Sequence, residues 1–467
     1  AGLIYSGAAI AAVFAGDLVT LFVMWELTAL ASVFLIWARR DAASFRAGMR
    51  YLVIQVGSGV LLLAGSIIHY QATGSIAFNF LGIGTLGTNL ILLAFAVKCA
   101  FPLLHNWLQD SYGQATVTGT VFLSAFTTKL AVYALARGYP GTEMLIWIGA
   151  TMTAFPIFYA VIENDLRRVL AYSLNNQLGF MVVGVGIGTE MALNGTAAHA
   201  FAHILYKALL FMSMGAVLFR TDTIKGSELG GLYKSMPWST GFCIVGAASI
   251  SAFPLTSGFV SKALIITAAA EEGHWIVWAV LLFASAGVFH HSGIKIPYFA
   301  FFAHDSGKRV KEAPINMLIA MAAASALCLG IGMFPAYLYA ILPYQVNFIP
   351  YTTAHVITQL QLLMFSALAF TVLMWTRIYP PELRSINLDT DWVYRRLMPS
   401  ISNKFIVLVS TAYHAISRVA GIRVERAIRS SFHLTGPQSA LARTWEIGSS
   451  ALWVMILLAV CLVLYYV

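Results

Sequence analysis

The chain has 467 residues, of which 59% are hydrophobic and only 10% are charged. Because a soluble domain has about 25% charged residues, this composition excludes an ordinary soluble globular protein and indicates an all-α polytopic membrane protein. The formal net charge of +9 is carried mostly by short segments between apolar runs, where basic residues set membrane orientation and do not indicate nucleic-acid binding.

Apolar runs long enough to cross a bilayer recur along the chain, and we predict about thirteen of them. Basic and nearly uncharged segments alternate between these runs, so the basic segments are expected on the cytoplasmic side. The predicted spans are 1–15, 18–38, 49–70, 87–108, 115–136, 143–162, 168–188, 195–219, 239–270, 276–303, 314–341, 357–377 and 448–467.

Two predicted spans combine a lysine with a helix-breaking proline. Lys98 lies four residues before Pro102, which cannot donate a hydrogen bond to the carbonyl of residue 98. A second span is too long for one plain helix and holds Pro254, Gly258 and Lys262. We predict two broken helices, one in each of two inverted five-helix repeats.

These features divide the chain into five predicted regions. The fourth region contains Lys404–Phe432, where most charged residues share one helical face, as in a surface helix that contacts lipid or partner subunits. The regions are a first repeat (1–136), a second inverted repeat (143–303), further core helices (314–377), a cytoplasmic linker with a lateral amphipathic helix (378–447), and a terminal membrane anchor (448–467).

Glu26 and Lys129 are further charged residues within apolar spans. A lysine at the bilayer centre costs about 2.5–3.5 kcal/mol, so such residues are candidates for function. Glu26 follows Asp17 by about 12 Å of helix, which places it well inside the hydrocarbon. We interpret it as the partner of a buried lysine, the alternative being a carboxylate near the interface. A carboxylate–lysine pair whose separation changes can load and release a proton.

Another predicted span carries His199, His203 and Lys207 at i, i+4 and i+8, which places them on one stripe of the helix. Imidazole both accepts and donates protons, so the stripe indicates a proton relay. Core packing and a metal site remain alternatives.

His105, His291 and Lys295 are weaker candidates for the same relay. His290 and His291 point to different sides of their helix, so at most one of them faces a polar axis. Lys295 could instead extend to the membrane interface. The chain has no Walker loop, dinucleotide fingerprint, zinc-protease motif or nucleophile elbow, so we expect neither a cofactor nor a metal.

Seven motifs, in this order, resemble the antiporter-like subunits of Mrp-type cation/proton antiporters, respiratory complex I and membrane-bound hydrogenases. The Mrp D-type subunit is the most similar branch, and the resemblance covers about residues 1–340. The motifs are LFVMWELTALASVFLI, VKCAFPLLHNWL, TTKLAVYALAR, ENDLRRVLAYSLNNQLGFM, HAFAHILYKALLFMSMGAVL, LGGLYKSMP and SAFPLTSGFVSKALI.

The resemblance implies two inverted five-helix repeats and a polar axis across the membrane centre. It begins at the family's fourth helix, so three upstream helices are expected to be missing from this chain. It also implies a role for each matching residue. Glu26 and Lys98 would form a glutamate–lysine pair, Lys129 would be the lysine of the next helix, and Lys262 would be the second broken-helix lysine. The connecting relay would consist of His199, His203 and Lys207.

We therefore expect a proton-translocating subunit of a multisubunit membrane complex, performing Mrp-type Na+/H+ antiport. The alternatives are a proton-pumping subunit of a complex I-like or hydrogenase assembly, and a structural subunit that conducts nothing. The expected partners are other membrane subunits, protons, Na+ and lipid. The expected location is the bacterial inner membrane.

Overall fold

The structure is a computed structural model that describes residues 1–379, 382, 387, 389–439, 442–444 and 446–466. An apolar segment in lipid must satisfy its backbone hydrogen bonds internally, and the described residues accordingly form seventeen α-helices. They are α1 (Gly2–Val13), α2 (Leu18–Trp37), α3 (Ala42–Thr73), α4 (Leu86–Lys98), α5 (Asn106–Tyr112), α6 (Gly119–Gly138), α7 (Glu143–Ile162), α8 (Leu166–Ile187), α9 (Glu190–Thr221), α10 (Pro237–Ile250), α11 (Ser257–Glu271), α12 (Trp275–Val288), α13 (Ile315–Met333), α14 (Pro335–Tyr339), α15 (Thr353–Trp375), α16 (Met398–Thr435) and α17 (Ile447–Tyr466).

Within the described residues, ten helical stretches are long and apolar enough to cross a membrane, while α1 and α4 are shorter apolar helices. One of the ten is Val393–Thr435, most of which the sequence predicted as a surface helix. Length and composition do not separate these two roles. The all-α polytopic fold is confirmed, whereas the count of thirteen spans is not.

The helix that begins with α12 does not end at Val288. It continues through π-helical turns at Phe289–Lys295 and Tyr298–Phe302, so the predicted span 276–303 is one helix with widened turns. Such turns are rare in proteins, and those that do occur are often found at functional sites. This one contains His291 and Lys295.

The loops fall into two groups at opposite ends of the helices, and hydrogen bonds join neighbouring segments within each group. Arg167 donates to the carbonyl of Gly113 on one face, and the N–H of Leu81 donates to the carbonyl of Gly138 on the other. The first is termed the basic face and comprises loops 38–41, 113–118, 163–165, 222–236 and 303–314. The second is termed the opposite face and comprises loops 14–17, 74–85, 139–142, 188–189 and 334–352.

Two helices are interrupted at the same tetrapeptide, Ala-Phe-Pro-Leu, between α4 and α5 and between α10 and α11. The alanine and leucine of each copy have left-handed backbones, with φ of 61° at Ala100, 71° at Leu103, 57° at Ala252 and 68° at Leu255. This conformation costs a non-glycine residue about 1–2 kcal/mol, so the surrounding packing must hold each break in place. The two breaks therefore share one backbone geometry.

Gly258 was predicted as part of the second break but lies inside α11. A Cβ on this glycine would lie 1.8 Å from the carbonyl oxygen of Ser249 in α10. Gly258 thus allows the two half-helices to approach closely, and Pro254 lies at the break itself.

The described residues form two compact units, Ala1–Thr390 and Asp391–Val467. The second contains α16 and α17, in which no described residue is buried. The helix predicted at Lys404–Phe432 extends over the longer range of α16. The described residues of 378–390, which belong to the predicted linker, pack with the first unit. Positions 380, 381, 383–386, 388, 440, 441 and 445 of the predicted linker region, and position 467 of the predicted anchor, lie outside the described residues.

Candidate functional site

Lys98 is the last residue of α4 and is completely buried. Its Nζ donates to the backbone carbonyl of Trp25 and to Oγ1 of Thr28, both at 2.9 Å, and lies 4.1 Å from the centre of the Trp25 ring. Because α4 ends here, the lysine can reach across to α2. The ammonium group is held by a carbonyl, a hydroxyl and an aromatic face.

Glu26, the predicted partner of Lys98, is not hydrogen-bonded to it. The two charges still interact, but in the described part of the chain the buried Oε1 of Glu26 has no hydrogen-bond partner. The carboxylate lies against Gly59 of α3, where a Cβ would come within 1.5 Å of Oε1. The structure thus places Glu26 and Lys98 as neighbours in a separated arrangement.

Lys129 lies in α6, and its Nζ donates to the carbonyl of Ser124 at 2.6 Å. It lines a cavity of about 330 Å³ between α6 and α9. Arg137 and Tyr344 also line this cavity, and Tyr344 belongs to a loop of the opposite face. Lys129 lies near the middle of α6, and this cavity extends from it toward the opposite face.

The stripe on α9 is completely buried. His199 contacts Ser261 Oγ through Nδ1 at 3.1 Å and the hydroxyl of Tyr206 through Nε2 at 3.4 Å. The Tyr206 hydroxyl donates to Gln177 Oε1 of α8 at 3.1 Å, and the Nζ of Lys207 donates to the carbonyl of Leu170 in the same helix at 3.2 Å. The stripe is thus hydrogen-bonded to α8 and α11.

His203 lies at the centre of the charged residues. Its side chain is completely buried, and neither ring nitrogen has a hydrogen-bond partner among the described residues. Lys129, Lys207 and Lys262 are all near enough for their charges to act on its ring. A buried imidazole needs a hydrogen-bond partner, and ordered water is the usual one where protein supplies none.

Lys262 lies in α11, on the far side of the second break. Its Nζ donates to the carbonyl of Ile250, the last residue of α10, at 2.7 Å. A broken helix leaves carbonyls without intrahelical donors, and the lysine satisfies one of them. Lys98 and Lys262 thus occupy related places, each at a helix break and each bonded to a backbone carbonyl.

His291 and Lys295, predicted as weaker candidates, are both buried in the π-helical turn after α12. His291 Nδ1 lies 2.9 Å from Ser292 Oγ, which donates to Ser173 Oγ of α8 at 2.8 Å. Its neighbour His290 instead packs its ring against Tyr379, at 5.5 Å between centres. Only one of the two adjacent histidines joins the buried polar residues.

His105, in the first break, contacts a carboxylate that the sequence did not single out. Its Nε2 lies 3.1 Å from Asp389 Oδ2, which also accepts from the hydroxyl of Tyr172 at 2.8 Å. Burial acts to raise the pKa of Asp389, but hydrogen bonds from His105, Thr390 and Tyr172 bring it below its ordinary value. Asp389 lies in the predicted linker after the core spans, and only the fold brings it to the break.

Several buried amides were also missed by sequence reasoning. Gln55, Gln109 and Asn175 are buried, and the side-chain nitrogen and oxygen of each lack hydrogen-bond partners within the described part of the chain. A polar side chain within an apolar span is a signal that could have found them. Like the ring of His203 and Oε1 of Glu26, these amides are buried polar groups for which ordered water is the usual partner.

Comparisons with known proteins show the family and the fold of the chain. The family described as NADH:quinone oxidoreductase/Mrp antiporter, transmembrane region, matches residues 15–289. The D-type subunit of the Na+/H+ antiporter of Alkalihalophilus pseudofirmus is 30% identical over 350 residues, which cover 70% of this chain and 71% of that protein. The N-type subunit of the NADH-quinone oxidoreductase of Desulforudis audaxviator is 32% identical over 291 residues, 58% of each chain. A chain of the Mrp complex from Dietzia sp. has the same fold, with a TM-score of 0.67 and 20% identity over 81% of this chain and 79% of that one.

Proposed function

The chain belongs to the NADH:quinone oxidoreductase/Mrp antiporter family, and from that premise we propose that it is a proton-translocating subunit of a multisubunit membrane complex performing Na+/H+ exchange. The observation that carries the proposal is the environment of His203. A buried imidazole without a hydrogen-bond partner among the described residues, in electrostatic range of three buried lysines, is suited to transferring protons.

Two proton-holding positions are proposed at the helix breaks. Lys98 and Lys262 each donate to a backbone carbonyl there, and an amine in such a place can give up a proton and accept it again. The stripe on α9 reaches the second position through His199, which contacts Ser261 beside Lys262. Lys129 connects the axis to the cavity near the opposite face.

The Glu26–Lys98 pair is the proposed moving part. In the separated arrangement, Lys98 donates to a carbonyl and a hydroxyl and has no direct contact with the Glu26 carboxylate. Approach of the Glu26 carboxylate would favour the protonated lysine. Changing this distance therefore loads and releases one proton, and an opposing Na+ flux would supply the energy in an Mrp-like complex.

The proposed partners are other membrane subunits, since the relatives carry names of subunits of larger complexes. The exposed α16 and α17 offer surfaces for them or for lipid. The proposed location is the bacterial inner membrane with the basic face in the cytoplasm, because basic loops are retained there.

A second candidate is a proton-pumping subunit of a redox-driven complex, which the 32% identity to a subunit of an NADH-quinone oxidoreductase supports. The two functions differ in their energy source. The subunit composition of the purified complex separates them, because a co-purifying NADH or hydrogenase module would favour redox-driven pumping. A structural subunit that conducts nothing is disfavoured by the cost of its buried lysines.

The function is tested with the purified complex in lipid vesicles that contain a pH-sensitive dye. An imposed Na+ gradient is expected to drive proton movement in the opposite direction, well above the leak of vesicles without protein. A pH change that does not depend on Na+ would contradict Na+/H+ exchange, and the absence of any proton movement would favour the structural subunit.

Replacing Gly59 by alanine is expected to lower proton flux about tenfold to a hundredfold without unfolding the protein. The new methyl group would overlap the Glu26 carboxylate, which lies at the end of a flexible side chain and must swing away. Gly57 in the same helix is the matched control, because a Cβ there meets nothing within 4 Å. Equal flux in the two alanine variants would show that the position of Glu26 does not matter.

A further inference from the structure

We propose that the Glu382–Lys295 ion pair is the proton-uptake site of the basic face, from which protons pass to His291 and Lys207. The proposal rests on the proposed function and adds to it a carboxylate beyond the predicted membrane spans. The proposed uptake consists of two proton transfers. The Glu382 carboxylate takes a proton from the aqueous side and then passes it to the neutral amine of Lys295, which becomes an ammonium group.

The pair is buried and closely joined. Lys295 Nζ lies 2.8 Å from Glu382 Oε1, with side-chain exposures of 0% and 5%. The same Nζ donates to the carbonyls of Val161 and Glu163 at 2.7 Å, at the end of α7. The carbonyl end of a helix favours a cation, so the ammonium form has a prepared place.

Glu382 also faces a cavity on the basic face. The cavity has a volume of about 510 Å³ and is lined by Glu382 together with Ser227, His304 and Arg377, which belong to or follow the basic loops. Glu382 thus has the buried Lys295 on one side and, on the other, a cavity lined by both polar and apolar side chains. Access from the basic face to a buried lysine is what an uptake site requires.

A chain of polar contacts continues inward from Lys295. His291 precedes it by one turn of the same π-helical stretch and reaches α8 through Ser292 and Ser173. Lys207 of α9 also bonds to α8, and the charges of Lys207 and Lys295 both act on His291. His291 therefore lies between the proposed uptake site and the relay on α9.

The neighbouring carboxylate, Glu163, is engaged elsewhere. Its Oε2 lies 3.3 Å from Arg168 Nε, and its Oε1 accepts from the backbone N–H of Asp165. Glu382 is the carboxylate that pairs with Lys295. Burial raises the pKa of Glu382 above its ordinary value, opposed by the charge of Lys295 and assisted by that of Glu163.

A purely structural role explains the pair less well. Burying two charges costs about as much as their attraction returns, and apolar residues of similar volume usually stabilise a fold at least equally. Both a structural and a conducting role predict harm from removing one partner alone. They differ when both charges are removed together.

The first experiment compares Glu382→Gln with Asp305→Asn in the assembled complex, by proton flux in vesicles. Flux is expected to fall about tenfold or more in Glu382→Gln, since general acid–base transfer at one group is worth at least that much. Asp305 is an exposed carboxylate of the same face that pairs with Lys234 and Arg309, and its variant is expected to keep full flux. Wild-type flux in Glu382→Gln would overturn the proposal.

The second experiment uses the double variant Glu382→Gln/Lys295→Gln, which removes both charges of the pair together. Flux is expected to stay low in the assembled complex that carries the double variant. The single variant Glu382→Asp keeps a carboxylate and is expected to recover part of the flux that Glu382→Gln loses. Restored flux in the double variant, or its failure to assemble, would assign the pair a structural role and overturn the proposal. If Lys98→Ala abolishes flux while Glu382→Gln leaves it unchanged, the proposal of an uptake site at Glu382 is wrong but the proposed function is retained.

Discussion

Proton flux through reconstituted vesicles is expected to fall about a hundredfold or more when Lys98 is replaced by alanine. The side chain is completely buried, and its Nζ donates to the carbonyl of Trp25 beside the first helix break. Alanine removes the amine that is proposed to receive and release the proton. Flux is measured with a pH-sensitive dye under an imposed Na+ gradient, at equal amounts of assembled complex.

Three further variants separate proton transfer from packing. Lys98→Met keeps the length of the side chain without a titratable group and is expected to be as inactive as Lys98→Ala. Lys98→Arg introduces a guanidinium group, which does not release its proton at physiological pH, so this variant is expected to be inactive as well. Lys311→Ala removes an exposed lysine of the basic face and is expected to keep full flux. Substantial flux in Lys98→Met would contradict a proton-carrying role for Lys98.

Replacing Gly258 by alanine is expected to destabilise the protein by about 1–3 kcal/mol and to impair flux. The added Cβ would lie 1.8 Å from the carbonyl oxygen of Ser249, where ordinary contact begins at 3.4 Å. The obstacle is backbone, so α10 and α11 must move apart. Lys262 lies one turn beyond Gly258, and its bond to the carbonyl of Ile250 crosses the same break. The measurement is thermal unfolding of the purified complex, followed by flux.

Gly241 provides the matched control for this prediction. It lies in α10, and a Cβ there meets nothing within 4 Å, so Gly241→Ala is expected to preserve stability. If both alanine variants unfold at the same temperature, close approach at the second break contributes little to stability.

The relation between Lys98 and Lys262 bears on how the subunit is built. Each lies near an Ala-Phe-Pro-Leu break of the same backbone geometry, yet Lys98 ends the half-helix before its break and Lys262 follows its own. Inverted topology reverses the orientation of a repeat in the membrane but keeps its chain order, so the two lysines are not at equivalent positions of the two breaks. The repeat boundaries at 1–136 and 143–303 remain a prediction.

The sequence alone determined the membrane fold, the alternation of basic loops and the buried lysines. Each charge in an apolar span is costly and therefore stands out locally, so Lys98, Lys129, Lys207 and Lys262 could be found without a structure. Proline inside a long apolar run has the same effect, which is why both breaks were predicted.

Only the tertiary structure decided which groups these lysines contact. Glu26 was predicted as the partner of Lys98, but the amine bonds to Trp25 and Thr28, because the end of α4 directs it there. Glu382 and Asp389 look like ordinary carboxylates after the last core span, and nothing local marks them. Contacts between residues about 90 to 280 positions apart bring them to Lys295 and His105, and such contacts depend on how the helices pack.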